Sequence, residues 1–153
     1  MGVELVNVTM GNPYWNPHVN RPFALGGYES GEHPLAGVAR MLLGTEEVKK
    51  EVPDMFLISS AASYLGVASP GVLAALITRG AFDLAGFGRQ ILAYPDFASD
   101  ILEKGKLFSE KICLCCSKCT EIMRKPGGTP GCVIRDQDVY LPIYRELCGG
   151  SKK

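Results

Sequence analysis

Four cysteines, Cys113, Cys116, Cys119 and Cys132, stand in the spacing C-x2-C-x2-C-x12-C, with Cys115 as an extra thiol inside the run. Closely spaced thiolates on a turn can converge on one centre, and a distant fourth closes it. Such a donor set suits a [4Fe-4S] cluster or tetrahedral zinc. The alternative is a group of reduced, partly buried thiols in a covering segment; adjacent Cys115 and Cys116 argue against a specific disulfide framework. Cys148 stands apart near the C-terminus. The second chemical feature is Gly86-Phe87-Gly88-Arg89, where an apolar run carrying Phe82 and Leu84 breaks and passes into a helical pattern. Small residues, free backbone N–H groups and a fixed positive charge at a helix start are the parts of a phosphate cradle. A tight strand-to-helix turn with a solvated arginine is the plainer reading of the same residues.

The elements that must position these groups follow from apolar runs and their punctuation. Residues 3–9, 55–60 and 82–87 are nearly continuously apolar, as expected of parallel strands buried on both faces. A helical pattern follows each. Pro34 opens one, with Leu35, Val38, Met41 and Leu42 on one side, and His33 reads as its start residue. Ser69-Pro70 is expected to cap and open the second, which carries Leu73, Leu76 and Ile77 and closes at Gly80. The third follows Gly88 and is divided by Pro95, with Phe97 and Ile101 on its buried side. The order βαβαβα predicts a parallel α/β fold. Beyond it, Pro126 to Gly131 read as an irregular loop and residues 137–147 as a short final helix.

Composition sets the outer limits. The 153 residues suffice for one domain with a sizeable core, and 16 basic against 16 acidic residues leave no electrostatic footprint for nucleic acid or an acidic membrane. The apolar runs are too short to cross a bilayer, and the N-terminus lacks an export signal. Six cysteines in such a chain point to a reducing, cytoplasmic setting and to metal or redox roles. Three parallel strands leave two edges and an apolar face open, whereas a closed eight-stranded barrel needs about 250 residues. The expectation is therefore the C-terminal part of a TIM (β/α)8 barrel in residues 1–108, or a chain that completes itself by association, with a Cys-rich extension in residues 109–153. The chain is expected to complete itself as a homo-oligomer or with the missing barrel part.

Strand-GFGR-helix followed by AYPDFA resembles the last βα unit of the old yellow enzyme family of flavin-dependent reductases. It is most similar to the branch holding 2,4-dienoyl-CoA reductases and NADH:flavin oxidoreductases. VELVNVTMGNPYWNPHVNRP resembles the sixth strand and loop of that barrel, and LISSAASYL the seventh, so the resemblance implies a partial TIM (β/α)8 barrel of about the last three βα units. The resemblance implies an FMN phosphate held by Gly88 and Arg89, with Ser60, Ala61 and Ala62 opposite. Family members often carry glycine where this chain has Ala61, so a methyl group is expected to crowd the phosphate or redirect the backbone. The resemblance also implies hydride transfer from NAD(P)H through FMN to the activated C=C bond of an enoyl-type substrate. Residues from the earlier strands share that work, so this portion alone is expected to be inactive. An iron–sulfur site with spacing C-x2-C-x3-C-x11-C follows the last strand in the family. Cys113, Cys116 and Cys132 match it, while Thr120 falls at the third position and Cys119 one residue before. His18, in the aromatic and Pro-rich loop of residues 12–18, matches loosely a proton-donating histidine and is the candidate general acid; otherwise it is an exposed loop histidine.

Overall fold

Three short parallel strands form one sheet in the order β1-β2-β3, with β1 at Leu5–Val8, β2 at Phe56–Ser59 and β3 at Leu84–Ala85. The structure, a computed structural model, describes residues 2–10 and 32–149. His18, with Tyr14 and Trp15 of its loop, lies outside the described residues. The chain is mixed α/β, and the described strands do not close into a barrel.

Each predicted strand is present but shorter than its apolar run. At the start of β3 the Asp83 side chain takes a place in the ladder. Its carboxylate Oδ2 accepts the Leu57 N–H at 2.8 Å and an ion pair from Lys49 at 2.9 Å. That N–H is therefore bound to a side chain; the Asp83 N–H still donates to the Leu57 carbonyl at 3.0 Å, and the paired residues of the ladder are Leu84 opposite Ile58 and Ala85 opposite Ser59. The Leu57 N–H and Lys49, in that order, hold the Asp83 carboxyl below the usual carboxylate range.

The sheet has two unlike faces. Val8, Leu57 and Ser59 are buried and point toward α1, Pro34–Glu51. Val38, Leu42, Ala62, Leu73 and Phe82 join Val8 and Leu57 in one core cluster. Within it the Ser59 hydroxyl meets Thr45 Oγ1 at 3.2 Å, and Thr45 donates to the Met41 carbonyl at 2.8 Å, so the buried hydroxyls are satisfied. The opposite face carries Leu5, Phe56 and Leu84, exposed by 50%, 56% and 48%, with half-buried Ile58. Sequential neighbours joined by right-handed crossovers place their helices on one side of a sheet, and among the described residues no helix covers this second face.

The helices follow their sequence signals with two corrections. His33 caps α1, its Nδ1 accepting the Leu35 N–H at 3.2 Å, and Val38, Met41 and Leu42 are buried. Leu35, expected on that buried side, is half exposed. Ser69, expected as the cap of the second helix, is already its first residue: α2 is Ser69–Thr78. The 3-10 segment before it, Ala62–Ala68, breaks at Gly66 (φ +56°, ψ −129°), and the residues after that break already turn helically into α2. The Ser69 hydroxyl instead donates backward to the Gly66 carbonyl at 2.8 Å. Gly80 closes α2 in the left-handed conformation, φ +78°, as expected. The region divided by Pro95 forms α3, Gln90–Ala93, and α4, Phe97–Lys104, with Phe87 and Phe97 rings 5.1 Å apart across the break.

The C-terminal region adds α5, Lys118–Met123, and α6, Gln137–Cys148, which pack together. The Tyr144 hydroxyl donates to Glu121 at 2.5 Å across that contact. A Cβ on Gly131 would lie 1.9 Å from Tyr140 Cζ, so the Pro-Gly loop approaches α6 as only glycine allows. Lys111 returns this region to the break before α4, 3.5 Å from Asp100 Oδ2 and over the Tyr94 ring. No helix among the described residues is long and apolar enough to cross a membrane.

Candidate functional site

The segments leaving the C-terminal ends of β2 and β3 enclose a cleft of about 490 Å3. Asn7, Ser60, Ala61, Gly88 and Arg89 line it, and Ile58 and Leu84 carry the uncovered sheet face into it. The Ser60 hydroxyl donates to Asn7 Oδ1 at 2.8 Å, tying the ends of β1 and β2 together. A Cβ on Gly86 would stand 2.7 Å from Ser60 Oγ and 2.9 Å from Ile58 Cγ2, so glycine lets β3 leave the sheet beside β2. A Cβ on Gly88 would meet nothing within 4 Å. The backbone there is accessible to an anion. Ala61 adopts φ +79°, ψ +2°, so the chain keeps the left-handed path that favours glycine and carries the methyl group as strain. Ala62 does not line the cleft; it is 1% exposed within the core. The helix after the loop, α3, has only 4 residues, so its dipole adds little, and Arg89 supplies the fixed charge.

A second, much smaller cavity of about 20 Å3 adjoins the first. Cys113, Cys116, Cys119 and Cys132, the four predicted ligands, all line it, with Arg89, Ser117 and Arg135. Cys115 turns into the protein, 2% exposed at φ +53°, and does not line the cavity. Two backbone N–H groups already point at candidate ligand sulfurs: Cys115 N–H to Cys113 Sγ and Arg135 N–H to Cys132 Sγ, each at 3.4 Å. Arg135 also closes the long spacer, its Nε and Nη2 both reaching the Ile112 carbonyl at 3.1 Å. Hydrogen bonds from the Cys115 thiol and backbone, then Arg89 and Arg135, pull the Cys113 thiol well below the ordinary thiol range against the effect of burial. Cys115, the donor, is pushed up by that same bond and by burial, and burial raises Cys119. All six cysteines are free thiols, and no three His, Cys, Asp or Glu side chains among the described residues converge in metal-ligating geometry. The four sulfurs share one cavity wall without closing on a centre.

Two residues beyond the sequence prediction join the cavities. Ser117, in the left-handed conformation at φ +61°, accepts from Arg89 Nη1 at 2.9 Å. Gln90 is 2% exposed; its Oε1 accepts the Cys113 N–H at 3.0 Å, and its Nε2 is buried with no hydrogen-bond partner. A buried amide nitrogen without an acceptor is costly in a finished site. Gln90 lines neither cavity, and its amide meets the thiol loop only through the Cys113 backbone. Four thiols on one cavity wall are the donor set of a thiolate-bound metal ion or cluster, which would have to draw them together, and the open, Arg-flanked cleft fits a phosphate. The sequence signal for Gln90 was slight, a single polar residue heading the apolar stretch Ile91-Leu92-Ala93. No protein-family model, curated protein or solved structure matches the chain.

Proposed function

We propose that the chain is the C-terminal, cofactor-holding portion of an FMN-dependent NAD(P)H:flavin oxidoreductase of the ene-reductase type, built as about the last three units of a (β/α)8 barrel. The observation that carries the reading is the cleft at the C-terminal ends of three parallel strands, continuous with an uncovered apolar sheet face. In a barrel that face is the interior and those strand ends are where cofactors and substrates sit. Ser60, Ala61, Gly88 and Arg89 would hold the FMN phosphate, with arginine offering paired N–H donors and Gly88 an accessible backbone. When bound, FMN supplies hydride acceptance from NAD(P)H and delivery to an activated C=C bond. The chain's own part is to bind and orient: Arg89 fixes the phosphate end, and Phe56, Ile58 and Leu84 face the barrel interior and exclude water. His18 is the proposed proton donor to the carbon opposite hydride delivery. Cys113, Cys116, Cys119 and Cys132 would hold a [4Fe-4S] cluster, and a homo-oligomer or the rest of the barrel would cover the open face.

One observation favours a second reading. A cavity of about 20 Å3 suits a single ion such as zinc better than a four-iron cluster, which fits a binding module that associates with another chain. An absorption spectrum of protein purified without oxygen, with metal analysis, separates the readings. Paired flavin bands support the reductase portion. Broad iron–sulfur absorption without flavin leaves the thiol site as the working part. A colourless protein with one zinc supports the module, and a colourless protein without metal refutes both.

A further inference from the structure

We propose that Arg89 is a positioning residue shared by the cleft and the thiol pocket, so that an anion in one and a metal in the other each tighten the other's binding. The inference rests on the reading of the two sites given above. Arg89 lines both cavities. A guanidinium is a rigid plane with five N–H donors, so it can hold one partner at one edge and offer another edge to an oxyanion. Here Nη1 is committed to Ser117 Oγ at 2.9 Å. Ser117 is 9% exposed, and its carbonyl accepts the N–H groups of Thr120 and Glu121 at 2.9 and 3.0 Å, starting α5. The next residue, Gln90, holds the Cys113 N–H. Arg89 of the cleft wall and the buried residue after it therefore grip the thiol loop at residues 117 and 113, on both sides of Cys116.

The sign of the coupling follows from conformational freedom. An arginine that must be ordered by its ligand gives up rotamer freedom on binding, which weakens the complex. The Arg89–Ser117 bond is formed in this structure, and a metal that ties Cys116 and Cys119, on either side of Ser117, holds it closed, so Arg89 stays ordered before the anion arrives. The anion then binds a preordered guanidinium. By thermodynamic linkage the anion strengthens metal binding by the same factor, expected to be about 5-fold, the low end of measured couplings.

The test uses the full chain, metal-free or loaded with zinc and freed of excess, titrated with FMN and followed by flavin fluorescence. FMN is expected to bind about 5-fold more tightly to the zinc-loaded protein. Riboflavin, which lacks the phosphate, is expected to show no difference between the two forms. Ser117→Ala and Arg89→Lys are both expected to abolish the zinc dependence, the first by removing the anchor and the second by removing the planar fork while keeping the charge. Equal FMN affinity of the two wild-type forms would overturn the coupling and leave both sites standing. A zinc dependence that survives Ser117→Ala would overturn the route through Arg89. Protein that retains no zinc, or binds FMN in neither form, would overturn the reading of the sites and the inference with it.

Discussion

Replacing Ala61 by glycine removes a methyl group from the cleft wall and a strained backbone from the fold, and the two effects can be measured separately. Ala61 sits at φ +79°, ψ +2°. The left-handed conformation costs an L-residue about 1–2 kcal/mol through Cβ sterics. Glycine escapes that cost but loses about 0.5–1 kcal/mol through its greater freedom in the unfolded chain. The difference is a net stabilisation of about 0.5–1 kcal/mol. For a chain of 153 residues this corresponds to a rise in Tm of about 1–4 °C. Urea melts of the two proteins give the free energy, and thermal melts give the shift. Ala62→Gly is the control: Ala62 is 1% exposed and opens the 3-10 turn, so glycine there is expected to destabilise. FMN titration then reads the methyl group, with tighter binding expected for Ala61→Gly. An Ala61→Gly protein less stable than the parent would refute the assignment of strain at this residue.

Three further outcomes are expected. Leu57→Ala, at a side chain with 0% exposure beneath α1, is expected to cost about 2–5 kcal/mol in urea unfolding, a large share of a small domain's stability. Asp100 accepts hydrogen bonds from Lys104 and Tyr94, and the first of these, then the second, hold its carboxyl down at about 2. Because the folded value lies below the unfolded one, this contribution is full above about pH 4 and is lost as pH falls through 2. Asp100→Asn is expected to flatten stability between pH 5 and 2 in acid titrations followed by circular dichroism, relative to the parent. Cys116→Ser is expected to lower bound metal sharply, whereas Cys115→Ser keeps it, because Cys115 does not line the cavity and a serine hydroxyl can still donate to Cys113 as the thiol does; metal analysis of the purified variants decides this.

The positions of the elements were legible in the sequence because apolar runs and punctuating residues act locally. Pro34 starts a helix, Gly80 ends one and Pro95 splits a third, each through its own backbone restriction. The start of β3 was not legible. There Asp83 reaches Leu57, 26 residues away, and takes a ladder N–H. Ser69 misled for a related reason: a serine before proline reads as a cap, but the residues after the break at Gly66 already turn helically into α2. The four cavity-lining cysteines could be named from spacing alone, since neighbouring thiols share a turn. Their link to the glycine loop could not, because Arg89 meets Ser117 across 28 residues and Ser117 carries no motif.

The two bonds that Arg89 and Gln90 make to the thiol loop bear on whether the Cys-rich tail is portable. Residues 109–149 look like a cassette that could be appended to another scaffold, since they hold all four cavity cysteines and two helices of their own. Grafted without the turn before α3 and the first residue of that helix, the tail would lose the amide that receives the Cys113 N–H and the cation on Ser117. A working transplant would have to bring residues 86–90 with it, in register and at the same distance. Insertions or deletions in that turn should be felt first at the sulfurs, well before they are felt in the sheet.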